Sequence, residues 1–300
     1  MIDYGVQIEP QFGYTWEMIM ETAQAAEAAG FESLWASDHF LIRPEAVDVN
    51  CLEAWTVLTA VATATKRLRV GAMVASQSYR NPVLHAKIAA SLDHVSGGRV
   101  YFGIGTGWKE VEYESYDIPF PRPGKRVRQL EEAIIIAKKL WTEPRADYQG
   151  RYYSVNDCVS MPKPVQNPLP VLIGGMGTNL LKVSARHADV VNFAWNTPLD
   201  TFEERLVVLA RHCDKVGRDY DSIRKSAGLH MALEGVESGT AAPYTKYTGE
   251  REWGYKTPEK AAEFIRGYVD LGVDHFVIVF PYGSEPESVG FFMEHVAPLV

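Results

Sequence analysis

Residues 68–105 read LRVGAMVASQSYRNPVLHAKIAASLDHVSGGRVYFGIG, and this stretch decides the fold. A β-rich apolar run over 68–74 leads into a polar loop. Pro82 then opens a helix to about residue 95, from the first-turn position that tolerates its missing N–H. A second apolar run over 100–104 completes a strand–helix–strand unit. The same unit recurs on both sides. Toward the N-terminus, strands are expected over 3–8 and 33–36. The helix over 15–29 can be capped by Thr15 and is stopped by Gly30, and a further helix is expected over 52–65. Toward the C-terminus, Val127, Leu130, Ile134, Ala137 and Leu140 recur at three and four, predicting a helix over 124–140. Strands follow over 171–173, 189–193, 225–232 and 275–280, with helices over 180–187, 201–216, 258–271 and 287–296. Two stretches break the alternation: 144–168, read as an excursion with a small hairpin, and a loop over 234–255.

Eight strands alternating with eight helices predict an α/β fold, a single (β/α)8 TIM barrel over residues 1–300. Its insertions fall after the strand-4 helix and after strand 7. A doubly wound open sheet is the competing architecture. It needs a phosphate loop after the first strand, where Glu9-Pro10-Gln11-Phe12-Gly13 offers no G-x-G-x-x-G.

The chain has 300 residues, 46% hydrophobic and 23% charged, with a net charge of −8. That is ordinary globular usage and excludes disorder, coiled coil and collagen. No apolar run approaches the roughly 18–20 residues of a membrane span. No basic block invites nucleic acid or an anionic membrane. An N-terminus without a basic n-region and apolar core points to a cytoplasmic chain. Cys51, Cys158 and Cys213 lie far apart with no C-x-x-C, which argues against a disulfide framework or a cysteine zinc site. The eight histidines show no ligand spacing, and no metal is expected.

In a barrel the chemistry sits at the C-terminal ends of the strands. Strand 2 ends in Ser37-Asp38-His39-Phe40, and strand 3 in Ala75-Ser76-Gln77-Ser78-Tyr79-Arg80-Asn81. Strand 4 ends in Gly105-Thr106-Gly107-Trp108, and strand 5 in Gly174-Gly175-Met176-Gly177-Thr178. Asn192 and Trp195 mark strand 6, and His230 marks strand 7. The glycines after strand 5 free the backbone to turn N–H groups outward where a helix begins, a phosphate cradle; a tight turn that binds nothing is the competing reading. Asp38 and His39 are adjacent, so their side chains point opposite ways. His39 can move protons near neutral pH, whereas a cap and a satisfied core histidine are the bland alternative. There is no Gly-x-Ser-x-Gly elbow and no H-E-x-x-H. A glycine-lined rim without a strong acid–base set suits a cofactor that brings its own chemistry.

Several of these residues together resemble a known family. They are Ala36-Ser37-Asp38-His39-Phe40, Tyr79-Arg80-Asn81-Pro82, Ser96-Gly97-Gly98-Arg99, Gly103-Ile104-Gly105-Thr106-Gly107-Trp108, Pro162-Lys163-Pro164-Val165-Gln166 and Ile173-Gly174-Gly175. In this order the chain resembles the luciferase-like flavin-dependent oxidoreductase superfamily, in its branch that uses the deazaflavin coenzyme F420. The resemblance implies a homodimeric barrel holding the ring in its mouth and transferring a hydride to or from a small organic substrate. It implies that Asp38 and His39 lie beside the ring, with His39 handling a proton. It further implies that Met73-Val74 form a bulge with a non-proline cis peptide against the ring, and that Ser76 is a nearby hydroxyl. Gly105, Thr106 and Gly107 would form the strand-4 rim, and Gly174, Gly175, Met176 and Gly177 the phosphate site. An FMN-dependent monooxygenase using reduced flavin and dioxygen is the alternative. The branch's sugar-phosphate dehydrogenases carry a glutamate proton donor where this chain has Trp108, with Glu110 and Glu112 just beyond. That departure favours an apolar or aromatic substrate against Trp108 and Phe40.

Overall fold

Short β-branched and aromatic runs bounded by helices cannot bury their faces alone; laid side by side they close into a cylinder. The computed structural model describes residues 2–237, 242–249 and 253–300. Its barrel strands are β1 (Asp3–Ile8), β2 (Ser33–Ala36), β3 (Arg69–Ala72, resumed at Ala75–Ser76) and β4 (Val100–Gly105). They continue with β5 (Val171–Gly174), β6 (Val190–Phe193), β7 (Arg224–His230) and β8 (His275–Val279). Each runs parallel to the next, and β8 pairs with β1, so the barrel is closed and has no free edge.

The intervening helices are α1 (Trp16–Ala29), α2 (Ala54–Ala64), α3 (Pro82–Ser96), α4 (Glu110–Ser115) and α5 (Pro123–Thr142). They continue with α6 (Thr178–His187), α7 (Leu199–Val216), α8 (Thr245–Thr248), α9 (Pro258–Val269) and α10 (Glu285–Phe291). Thr15 caps α1 by accepting the Met18 N–H, and Asn81 caps α3 by accepting from Val83 with Pro82 in the first turn. Gly30 and Gly97 end these helices in the left-handed conformation, φ +92° and +70°. Between α5 and β5 an antiparallel hairpin pairs Ala146–Gln149 with Ser154–Cys158, within the expected excursion.

Three elements differ from the sequence reading. The short helix α4 was not expected. The seventh strand ends at His230, and Ala232–Leu233 pair separately with Tyr255–Lys256. The loop over 234–255 contains α8, while its residues 238–241 and 250–252 lie outside the described residues.

The core has two layers. The larger lies between barrel and helices. The smaller fills the barrel interior with Trp35, Met73, Tyr101, Leu172, Val190 and Val277. Trp35 is fully buried, donates its indole N–H to Ser33 Oγ at 2.8 Å, and stacks on Tyr101. Room for that indole comes from glycine: a Cβ on Gly5 or Gly71 would lie 2.6 Å from Trp35 atoms. Gly103 is tighter still, since a Cβ there would come 1.9 Å from the Ala72 carbonyl oxygen.

Two glycine substitutions should therefore act with opposite sign. Gly103→Ala forces β3 and β4 apart and should cost at least about 1–3 kcal/mol. Gly290→Ala, in α10 with nothing within 4 Å of the added methyl, should gain about 0.4–1 kcal/mol. Urea titration of both variants reads the two shifts in midpoint.

Candidate active site

The C-terminal ends of β1 to β6 surround a cavity of about 660 Å³. Its floor is the β3 bulge. The Met73–Val74 peptide is cis, and both residues line the cavity. Val74 sits against two glycines: a Cβ would lie 2.7 Å from it at Gly105 and 2.9 Å at Gly174. Neither strand could carry a side chain there, so the floor stays low. A second non-proline cis bond, Ala194–Trp195, shapes the β6 end, where Trp195 lines the cavity and stacks on His230 at 5.0 Å.

Asp38 and His39 both line the cavity, and their side chains part company as neighbours at a strand end should. Asp38 accepts both arms of the Arg80 guanidinium, at 2.7 and 2.9 Å, and the Ser76 N–H at 3.3 Å. Arg80 also pairs with Glu53. The Asp38 carboxylate is thus closed in a bidentate ion pair and ties the end of β2 to the bulge of β3.

His39 turns instead to Glu112, whose Oε2 lies 2.8 Å from Nδ1. The same carboxylate accepts from the Tyr79 hydroxyl at 2.6 Å and from the backbone N–H groups of Phe40 at 2.9 Å and Leu41 at 3.2 Å. Lys109 Nζ stands 3.5 Å away. Burial alone would raise the Glu112 carboxyl. The hydrogen bonds from His39 and Tyr79 and the charges of His39 and Lys109 outweigh it and hold the pKa down at about 2. An anionic Glu112 only accepts, which assigns the proton to Nδ1 and leaves Nε2 as the second ring nitrogen of a residue on the cavity wall. Trp108 meets the His39 ring edge-on at 5.7 Å.

The other expected residues divide. Ser76, Gly107, Gly174 and Gly175 line the cavity. Gly107 has φ +72°, and a Cβ on it would strike the Tyr113 hydroxyl, which is bonded to Ser76 Oγ at 2.5 Å. Gly105, Thr106, Met176 and Gly177 do not wall the cavity. Gly105 lies beneath Val74, and Thr106 is half-buried beside it. Met176 Sδ accepts from the Thr197 hydroxyl at 3.7 Å, and Gly177 is the N-cap of α6. The expectation that Gly175 turns its N–H outward is corrected: it donates to the Asn192 carbonyl at 3.0 Å, within the sheet ladder. The donors at this end are instead the first-turn N–H groups of α6, which has no side-chain cap. Phe40 is corrected as well. It packs between Tyr79 and Tyr116, at 4.4 and 4.5 Å, away from the cavity.

Sequence reasoning missed the roles of Glu112, Tyr79, Arg80 and Tyr113. A six-residue helix shows no periodicity. The one signal for α4 was its pair of first-turn acids, Glu110 and Glu112. Among the described residues no group of three His, Cys, Asp or Glu side chains could hold a metal ion, and no helix is long and apolar enough to cross a membrane.

Fold and site together define a closed barrel with a glycine-lined cavity at its mouth and a histidine–carboxylate pair beside it. The chain belongs to the luciferase-like monooxygenase family, whose model matches residues 4–247. It is 26% identical over 316 residues to an F420-dependent glucose-6-phosphate dehydrogenase of Kineococcus radiotolerans (strain ATCC BAA-149 / DSM 14245 / SRS30216), covering 94% of this chain and 92% of that one. An uncharacterized protein of Mycobacterium tuberculosis (strain ATCC 25618 / H37Rv) is 33% identical over 215 residues, 66% of this chain and 74% of its own. In three dimensions the chain is similar to an F420-dependent secondary alcohol dehydrogenase in complex with an F420-acetone adduct. The TM-score is 0.83 at 19% identity, over 100% of this chain and 99% of the other.

The Glu112 environment has a pH signature. Its folded pKa of about 2 lies below the ordinary 4.5, so the unfolded state binds more protons in between and stability falls as the medium acidifies. The contribution is fully present above pH 4.5 and is lost as pH falls through about 2. Between those limits wild type should lose on the order of 3 kcal/mol more than Glu112→Gln. Urea unfolding at stepped acid pH measures the difference.

Proposed function

We propose that this chain is a coenzyme F420-dependent oxidoreductase that transfers a hydride between the deazaflavin ring and a small organic substrate. The observation that carries the reading is His39 on the cavity wall, held from behind by the buried Glu112 carboxylate. The F420-dependent dehydrogenase that aligns with 94% of the chain supports the choice of cofactor.

The residues fit such a group. Val74, flanked by Gly105 and Gly174, gives a flat apolar floor, and 660 Å³ lies in the range of small-molecule cavities. At the far end the uncapped N-terminus of α6 faces open space at Gly177, as a phosphate requires. When bound, the deazaflavin supplies a ring carbon that accepts or gives up a hydride.

The protein's part is proton handling and order. His39 Nδ1–H donates to Glu112, which fixes the ring and its tautomer. Nε2 takes the proton of a substrate hydroxyl in the oxidative direction and returns it to a carbonyl in the reductive one. The two carboxylates have separate work. Glu112 orients and stabilises the imidazole, while Asp38, closed by Arg80, holds the bulge in place. Trp108 stands edge-on to the histidine at the cavity mouth. A homodimer belongs to the same reading, and light scattering on the eluting protein measures it.

FMN-dependent monooxygenation with reduced flavin and dioxygen is the second reading, favoured by the description of the matching family model. Titrating the protein with F420 and with FMN separates the two, because each has its own absorbance and fluorescence. F420 should bind, and FMN binding without F420 binding would overturn the first reading. Given F420 turnover, His39→Ala should lower it roughly 10²-fold or more. Glu112→Gln should lower it roughly 10-fold or more and move the pH profile. Gly177→Glu places an acid at the α6 N-terminus, where the helix tolerates it; it should leave the melting temperature unchanged or higher and weaken F420 binding at least 10-fold.

A further inference from the structure

Most charges on the cavity wall are already answered. Asp38 is closed by Arg80, and His39 by Glu112. Lys109 donates to the Leu41 carbonyl and lies beside Glu112. Arg43 is different. Its backbone carbonyl accepts the Ala46 N–H at 3.0 Å, which fixes a turn at the cavity rim. Its side chain lines the cavity and is exposed, and among the described residues no carboxylate pairs with its guanidinium. It also stands close to Lys109, whose ammonium is disfavoured first by burial and also by the Arg43 charge. Glu9, just past the C-terminal end of β1, lines the same cavity.

The same cavity is lined by the apolar side chains Ile42, Val111 and Phe12, and Trp108 is 71% exposed with its ring edge-on to His39. An indole that size, left open to solvent beside a proton-handling histidine, is contact area for a flat apolar body. A guanidinium is a planar fork that matches a carboxylate in two parallel hydrogen bonds.

We infer that the substrate is an apolar carboxylate, with its hydrophobic body on Trp108 and its anion read by Arg43. This rests on the oxidoreductase reading above and adds the substrate class to it. Arg43 is then a specificity residue: it selects the anion and positions the apolar body so that the reacting carbon lies beside His39.

The probes are benzoate, its neutral isostere benzamide, and glucose 6-phosphate, each titrated against the protein with and without F420. Quenching of tryptophan fluorescence is the signal, assigned by its loss in Trp108→Phe. Benzoate should bind at least tenfold more tightly than benzamide and more tightly than glucose 6-phosphate. Arg43→Gln should abolish the preference over benzamide, and Arg43→Lys should keep part of it. Equal binding of the two benzenoid probes, a preference that survives Arg43→Gln, or tighter binding of glucose 6-phosphate would each overturn the inference. So would an Arg43→Gln variant in which F420 affinity falls while benzoate still prefers the site. Failure of F420 to bind at all would overturn the oxidoreductase reading. The cofactor-free titration would still judge the anion site by itself.

Discussion

The buried carboxylate of Glu112 ties three strand-end loops into one mouth. It receives Nδ1 of His39 and two backbone N–H groups from the loop after β2, the Tyr79 hydroxyl from the loop after β3, and the Lys109 ammonium beside α4. An unpaired carboxylate at that depth would be costly. Here five donors compensate it, and each loop is held by a group it cannot easily replace. The His39 imidazole takes its orientation from the same carboxylate that organises the loops. Loop order and the orientation of the His39 ring are therefore coupled at one residue.

A second constraint is steric. The barrel interior admits Trp35 only because Gly5 and Gly71 leave space for its indole. One layer higher, Val74 rises between strands only because Gly105 and Gly174 lack side chains. The lower layer is packed solid, as the interior of a small barrel must be. The upper layer is kept open, and the cavity begins where packing stops. The glycines of β4 and β5 are spent mainly on close packing of strand against strand. One turn along, the first N–H groups of α6 are left without a side-chain cap.

Charge is distributed with similar economy. Asp38 and Glu112 approach the same cavity, yet each is fixed by its own cation or donor set, so neither is left as a free base. His39 stands on the cavity wall, and Arg43 lies exposed at its rim. An apolar lining with few aimed polar groups is what a specific small-molecule site needs.

The sequence by itself determined the barrel and the position of its mouth. Strand and helix periods are local, and Thr15, Gly30, Asn81 and Pro82 mark helix ends through their own backbone preferences. Asp38, His39, Ser76, Gly107 and Gly174 were legible as strand-end residues, because barrel topology places those ends together. The Met73-Val74 bulge was legible only through resemblance, since nothing in its composition sets it apart. What only the tertiary structure decided is partnership. His39 meets Glu112 across 73 positions, and Asp38 meets Arg80 across 42. No local period encodes such distances. Gly175 was misread for the same reason: a glycine's freedom to turn outward is visible in sequence, but the Asn192 carbonyl that claims its N–H comes from the next strand. Phe40 sits beside His39 in the chain, yet Tyr79 and Tyr116 draw it out of the cavity, because burial of a ring is settled by the neighbours that arrive from other loops.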